Sequence, residues 1–90
     1  MGIQSSHFVL GTVAGTLIVP SHHNPQRVTI HNQETSNSRF IYLGGSDVTA
    51  LNSIHLDSGD TYQITLSAGD SLYARASDSD VDCGVLRQTT

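Results

Sequence analysis

Thr61-Tyr62-Gln63-Ile64-Thr65-Leu66-Ser67 (residues 61–67) decides the fold class of this 90-residue chain. Apolar side chains alternate here with hydroxyl and amide side chains. A period of two places successive side chains on opposite faces of a β-strand, whereas a helix requires a period of 3.6. The stretch is therefore predicted to be a strand with one face on a core and one face in water.

Six further stretches carry strand patterning, and no stretch keeps a helical period over three turns. They lie at residues 7–13, 16–19, 27–31, 40–43, 72–76 and 81–86. The stretch at 40–43 is apolar on both faces, which predicts a central strand covered on both sides or a strand at a subunit contact. We predict an all-β fold: a small antiparallel β-sandwich or jelly-roll-like barrel of seven to eight short strands, forming one domain over residues 1–90.

Two turns of the chain have related sequences. Leu56-Asp57-Ser58-Gly59-Asp60 and Leu66-Ser67-Ala68-Gly69-Asp70 match at an offset of ten, the length of one short strand plus one turn. In each copy we expect Leu to end a strand and Gly to adopt a positive φ.

Composition argues against several classes of partner. Charged residues make up 13% of the chain, the net charge is −4, and the four basic residues are scattered arginines. Binding to phosphates requires clustered basic side chains, so neither nucleic acid nor an anionic membrane surface is an expected partner. The start of the chain also lacks the basic region of a secretory signal. The single cysteine, Cys83, lies in an apolar alternation and is predicted to be a buried, unreactive thiol.

Five histidines raise the question of a metal or catalytic site. His22 and His23 are adjacent in a loop between Pro20 and Pro25, where we expect their side chains to point apart. No His or Cys spacing typical of zinc ligands is present. The histidines are therefore predicted to be surface and loop residues, with a pH-responsive contact through His22 or His23 as the alternative.

The acidic residues Asp78, Asp80 and Asp82 alternate along the chain. This spacing resembles the first half of a calcium-binding loop, but the glycine and the bidentate glutamate of that loop are missing. We predict a solvated acidic cluster, with a calcium site as the alternative, and no other metal or cofactor.

Catalysis is not predicted, because the chain has no Gly-x-Ser-x-Gly nucleophile motif and no phosphate-binding loop. Tyr42, Tyr62 and Tyr73 suit either of two roles, stacking on sugar rings or filling the core. The core is favoured, because two of the three lie on faces that the alternation predicts to be buried.

The stretches Phe40-Ile41-Tyr42-Leu43-Gly44-Gly45-Ser46-Asp47-Val48-Thr49 and Gly69-Asp70-Ser71-Leu72-Tyr73-Ala74 carry a resemblance to a known family. They are similar to small head decoration or minor capsid proteins of tailed bacteriophages of the actinobacteriophage type. The resemblance covers about residues 26–88. Its motifs are structural, and related sandwiches also occur in tail and fibre proteins.

The resemblance implies a virion structural protein that decorates and stabilises the capsid shell. Its partners would be the major capsid protein and further copies of itself, for which a trimer is the expectation. It would be made in the host cytoplasm and located on the capsid surface. The alternative is a receptor- or glycan-binding β-module of a tail fibre or a carbohydrate-binding domain.

The N-terminal residues 1–19 hold more apolar side chains than a small domain readily covers. We expect this segment to form an arm or edge strands that pack on a neighbouring subunit. The candidate contact residues are Phe8, Val9, Leu10, Leu17, Ile18 and Val19.

Overall fold

The computed structural model describes residues 2–12, 15–35, 39–49, 52–78 and 81–89. They form eight β-strands: β1 Gly2–Leu10, β2 Thr16–Val19, β3 Gln26–Asn32, β4 Ile41–Gly44, β5 Ile54–Leu56, β6 Thr61–Leu66, β7 Leu72–Ala76 and β8 Val81–Thr89. Within these ranges, no helix is long and apolar enough to cross a membrane.

The strands form two four-stranded sheets. Sheet A has the order β1-β8-β3-β6, and sheet B has the order β2-β7-β4-β5. All neighbouring strands are antiparallel, and consecutive strands mostly alternate between the sheets. This order is that of a jelly roll, in which two Greek keys wrap into a sandwich. The predicted fold class is confirmed.

The core lies between the two sheets and collects the inward-facing residue of almost every alternation. β3 and β7 show the pattern most clearly, with buried residues at every second position. Each buried Val, Leu or Ile side chain contributes about 1.5–3 kcal/mol relative to an exposed one. The core cluster contains Leu10, Ile18, Val19, Val28, Ile30, Ile41, Leu43, Leu56, Leu66, Leu72, Ala74, Ala76, Val81, Cys83 and Val85.

The two related turns have the predicted conformation. Gly59 and Gly69 have φ angles of 79° and 88°, and each follows a strand that ends at a leucine. In both turns the backbone N–H of the aspartate after the glycine donates to the carbonyl three residues earlier, at 3.0 Å. The same four-residue turn therefore precedes both β6 and β7.

Asn32 joins the two sheets where β3 ends. Its side chain is fully buried, and its Nδ2 donates to the carbonyls of Leu56 in β5 (3.2 Å) and Arg39 in the β3–β4 loop (3.0 Å). Its Oδ1 accepts the backbone N–H of Glu34 at 3.1 Å. Three hydrogen bonds from one amide therefore hold the β3–β4 loop against both sheets.

The β4–β5 loop folds back over the outer face of sheet B. Val48 is buried, and a Cβ added at Gly44 would meet its Cγ2 at 3.0 Å. Asn52 braces this loop by accepting the N–H of Thr49 and donating to the carbonyl of Asp47. The glycine at the end of β4 therefore lets the loop pack directly on the sheet.

We expect Asn32→Asp to lower the free energy of unfolding by about 3 kcal/mol, because it removes two buried donors and sets a carboxylate against two carbonyl oxygens. The matched control is Asn52→Asp, where the side chain is exposed, and it should cost less than about 1 kcal/mol. Urea unfolding of the two variants measures the difference. Equal losses would contradict the role assigned to Asn32.

Cys83 provides a test of core integrity. The thiol is free and fully buried, and desolvation raises its pKa to about 12 from the ordinary 9.0. It should resist a thiol reagent in the native protein and react once the chain is unfolded.

The unfolded chain loses the thiol proton near pH 9, whereas the folded chain keeps it to about pH 12. The contribution of Cys83 to the free energy of unfolding is therefore complete below pH 9 and is lost as the pH rises toward 12. In the Cys83→Ala variant this pH-dependent loss of stability should be absent. Unfolding free energies of the two proteins, measured across the same pH range, test this. Rapid native reaction at neutral pH would contradict the burial.

Candidate interaction surfaces

The outer face of sheet A is a broad and almost uncharged surface. It is formed by the outward residue of each alternation, as the strand registers place opposite residues on the same face. Asp82 and Arg27 are its only Asp, Glu, Lys or Arg residues. The face consists of Ile3, Ser5, His7, Val9, Asp82, Gly84, Leu86, Gln88, Arg27, Thr29, His31, Thr61, Gln63 and Thr65.

Three large apolar side chains are exposed on this face. Ile3 and Val9 on β1 are 67% and 55% exposed, and Leu86 on β8 is 45% exposed. Leu86 lies directly opposite Ser5 of β1, so it is a diagonal neighbour of Ile3. Val9 lies six residues further along β1, near its other end. Exposed large apolar side chains that share one face of a sheet suit that face to protein–protein contact.

β1 is an edge strand of nine residues. Within the part of the chain that the structure describes, it pairs only with β8, so its other side presents unpaired backbone groups. Natural edge strands are usually blunted by charge, proline, a bulge or short length. The sequence of β1, GIQSSHFVL, has no proline and no Asp, Glu, Lys or Arg, and its register with β8 is unbroken.

Carboxylates are concentrated in the loops. Asp82 is the one carboxylate within the eight described strands; the other described carboxylates lie in turns and loops that follow strands. Backbone hydrogen bonds bring three of these segments together at one end of the sandwich: Asn32 N–H donates to Asp60 O, Gln33 N–H to Asp82 O and Ser77 N–H to Phe40 O. This end, which we call the acidic end, holds Glu34, Asp57, Asp60, Asp78 and Asp82.

The calcium candidates are only partly described. The Oδ1 atom of Asp82 lies 3.0 Å from His7 Nε2, and Asp78 is exposed in the turn after β7. Asp80 lies outside the described residues. Among the residues that are described, no group of three or more His, Cys, Asp and Glu side chains is placed to hold a metal ion. The calcium alternative stays a prediction.

Aromatic side chains gather on the outer face of sheet B. The rings of Tyr42 in β4 and His55 in β5 stack at 5.4 Å, and Phe40 meets His55 edge-on at 4.5 Å. Tyr73 of β7 projects from the same face, opposite Gly44 and exposed Leu17. We call these rings, Phe40, Tyr42, His55 and Tyr73, the aromatic face.

Of the three tyrosines, Tyr62 has the predicted core position, since it packs against the buried cluster. Tyr42 and Tyr73 are half-buried and outward-facing. In β7 the buried face is that of Leu72, Ala74 and Ala76, as the small alanines predicted, so Tyr73 lies on the opposite face.

The prediction that His22 and His23 point apart is wrong. Their rings stack with centroids 4.3 Å apart and 23° between their planes. The loop bends here instead of running extended, because the backbone N–H of Asn24 donates to His22 Nδ1 at 3.0 Å. That bond requires His22 Nδ1 to be unprotonated, so the pH-responsive contact stays open as a prediction.

A cavity of about 290 Å³ lies beside this loop, where β1 and the end of β2 leave the sheets open. Gln26 is 1% exposed, its Nε2 donates to Pro20 O, and its Oε1 has no hydrogen-bond partner. Arg87 donates to Gln4 at the cavity wall. The volume is at the lower limit of small-molecule sites.

The structure divides the six N-terminal contact candidates. Leu10, Ile18 and Val19 are fully buried in the chain's own core, and Phe8 packs against that core. Val9 and Leu17 are exposed. Segments 2–10 and 16–19 form edge strands of sheets A and B, and their packing on a neighbour remains a prediction. Sequence analysis missed Ile3 and Leu86, although extending the alternation of β1 back to residue 3 would have identified Ile3.

No family model matches the chain, and no curated protein matches it. A solved structure of Bacillus endospore appendages, described as a novel family of disulfide-linked pili, is similar to it. That likeness has 14% identity and a TM-score of 0.61, and it covers 98% of this chain and 85% of that chain. The likeness is one of fold.

A cupin protein from Bacteroides fragilis matches with 26% identity and a TM-score of 0.48. The match covers 97% of this chain and 64% of the cupin chain.

Proposed function

We propose that this chain is a virion structural protein that decorates and stabilises a bacteriophage capsid shell by protein–protein binding. Its partners are the major capsid protein and further copies of itself, and no catalysis is involved. The specific role comes from the sequence resemblance over about residues 26–88. A jelly-roll sandwich is compatible with that role, although the fold itself occurs with many functions.

The observation that carries the proposal is the outer face of sheet A. A face with one carboxylate, one arginine and three exposed apolar side chains loses little hydration energy when another protein covers it. Its threonine, serine and glutamine side chains supply hydrogen-bond partners at the rim. Apart from Asp82, the described carboxylates lie away from it in turns and loops.

Such a face supports weak binding by each copy. One small sandwich contributes a limited contact area, so stable attachment to a shell depends on many copies bound side by side. Disulfide linkage is not part of the proposal, because the sulfur of Cys83 is buried in the core.

Fractionation of intact particles, with mass spectrometry to count copies of this chain, tests the proposal. Hundreds of copies per head are expected for a decoration protein. A handful would place the chain at a tail or vertex and favour receptor binding, and its absence from particles would overturn the virion role.

A matched pair of variants tests which face binds the shell. Leu86→Lys places a charge on the outer face of sheet A, and Leu17→Lys places the same charge on sheet B at similar exposure, 45% against 42%. We expect Leu86→Lys to lower shell occupancy about tenfold and Leu17→Lys to leave it unchanged. The reverse result would assign binding to sheet B.

The aromatic face favours a second candidate, a glycan-binding module. Tyrosine and histidine rings on one sheet face stack on the apolar faces of sugars, and Tyr42, His55 and Tyr73 all project from sheet B. The prediction is saturable binding to a cell-wall glycan by calorimetry.

In that case Tyr42→Ala should abolish the heat of binding, and Leu86→Lys on the opposite face should leave it unchanged. Tight shell binding without any glycan signal decides for the decoration role.

A further inference from the structure

We infer that the β1 edge is a self-recognition site, where two copies of this chain pair antiparallel about a two-fold axis and join their A sheets into one eight-stranded sheet. This inference rests on the proposed role as an assembling structural protein and names the partner for its edge strand. The occupant is a second copy of the same chain, so the inference expects a dimer in place of the trimer that the resemblance implies.

The free side of β1 presents unpaired backbone groups. β1 spans nine residues, about 30 Å of strand, and the donors and acceptors on this side, which water binds in a single copy, can be paired along the whole length by another strand. An added strand forms about one backbone hydrogen bond per residue pair. No charge or proline in Gly2–Leu10 opposes its approach.

The register of such a pair also favours two copies of β1. Pairing about a two-fold axis perpendicular to the sheet keeps residues of the same face opposite each other. With Ser6 on the axis, all nine residues pair, and Gly2 lies opposite Leu10 of the second copy. In that register Ile3 lies opposite the second copy's Val9, so the two most exposed large apolar side chains among the described residues cover each other.

The two ends of β1 lie beside side chains of opposite charge. β1 ends beside Asp82 at the acidic end, and it begins beside Arg87 and the row that contains Arg27. Antiparallel pairing sets the acidic end of one copy beside the arginine-bearing end of the other. Parallel pairing would set two acidic ends side by side.

The other edge of sheet A is a poorer partner. β6 has six residues, so it would leave three residues of β1 unpaired, and its exposed outer side chains are Thr61, Gln63 and Thr65. Pairing of β1 with β6 is also heterologous, so it would continue into a ring or an open fibre. The β1 pair closes after two copies.

Light scattering on the purified full chain measures the assembly. We expect a particle of twice the 9.6 kDa chain mass. Ile3→Lys with Val9→Lys places like charges opposite each other in the predicted register and should weaken the dimer about tenfold or more. Ile3→Lys with Val9→Glu places opposite charges there and should restore it, and Leu86→Lys, away from the edge, should have no effect on the mass.

Cysteine cross-linking tests the register directly. Ser6→Cys puts two thiols opposite each other at a Cα separation of about 4.5–5.5 Å, within disulfide range, and oxidation should give a covalent dimer. Ser5→Cys is the matched control, because its two copies would be about 8 Å apart and should not cross-link. Cys83 is buried and does not compete.

A monomer at high concentration, a trimer, fibres, or equal cross-linking of the two cysteine variants would each overturn the β1 pairing. Its failure is separable from failure of the decoration role. A monomeric chain found in hundreds of copies on heads would leave the role standing and remove this inference. A chain that dimerises through β1 but is absent from particles would leave this inference standing and remove the decoration role.

Discussion

The buried amide of Asn32 is the constraint on which the arrangement of this sandwich depends. Its donors reach carbonyls in β5 and in the β3–β4 loop, and its carbonyl oxygen accepts from Glu34. Glu34 in turn accepts the backbone N–H of Asp82 and pairs with Arg39 at 2.9 Å. A single polar side chain at the end of β3 thus ties the β3–β4 loop to β5 at the acidic end. An apolar residue there would remove the donor of two hydrogen bonds to carbonyl oxygens and the acceptor of a third.

This organisation also decides what the surfaces can do. Because almost all of the described carboxylates lie in turns and loops, the outer faces of the strands carry mainly uncharged polar, apolar and aromatic side chains. Sheet A gains a flat face with low desolvation cost, and sheet B gains the ring cluster around His55. The β4–β5 loop covers the part of sheet B next to Gly44, so the aromatic face is narrower than the face of sheet A. The two faces are therefore suited to different partners.

Much of the fold was predictable from alternation alone. β7 has the predicted bounds, and the Gly59 and Gly69 turns have the positive φ that their repeated sequence required. β5 has only three residues, Ile54–Leu56, too few for a period to be recognised. The interaction surfaces were less accessible, because alternation separates two faces of a strand without showing which one a second sheet covers. For that reason Leu10, Ile18 and Val19 were predicted to contact a neighbouring subunit, whereas they lie in the chain's own core. The prediction for His22 and His23 was wrong because ring stacking depends on a bend of the loop, which the period of apolar residues does not indicate.

The edge strands of the two sheets differ in how well they are protected from pairing with another chain. β5 is three residues long, and the pairing of β2 with β7 shifts register between Leu17 and Val19, so both edges of sheet B are short or irregular. The β1 edge of sheet A is neither short nor irregular. β1 is nine residues long, keeps an unbroken register with β8 and carries exposed apolar side chains. An unprotected edge in an otherwise well-satisfied sandwich is a liability for a protein that works alone. It is an advantage for one that works in many copies, since the backbone groups left open in a single chain are then the ones that assembly satisfies.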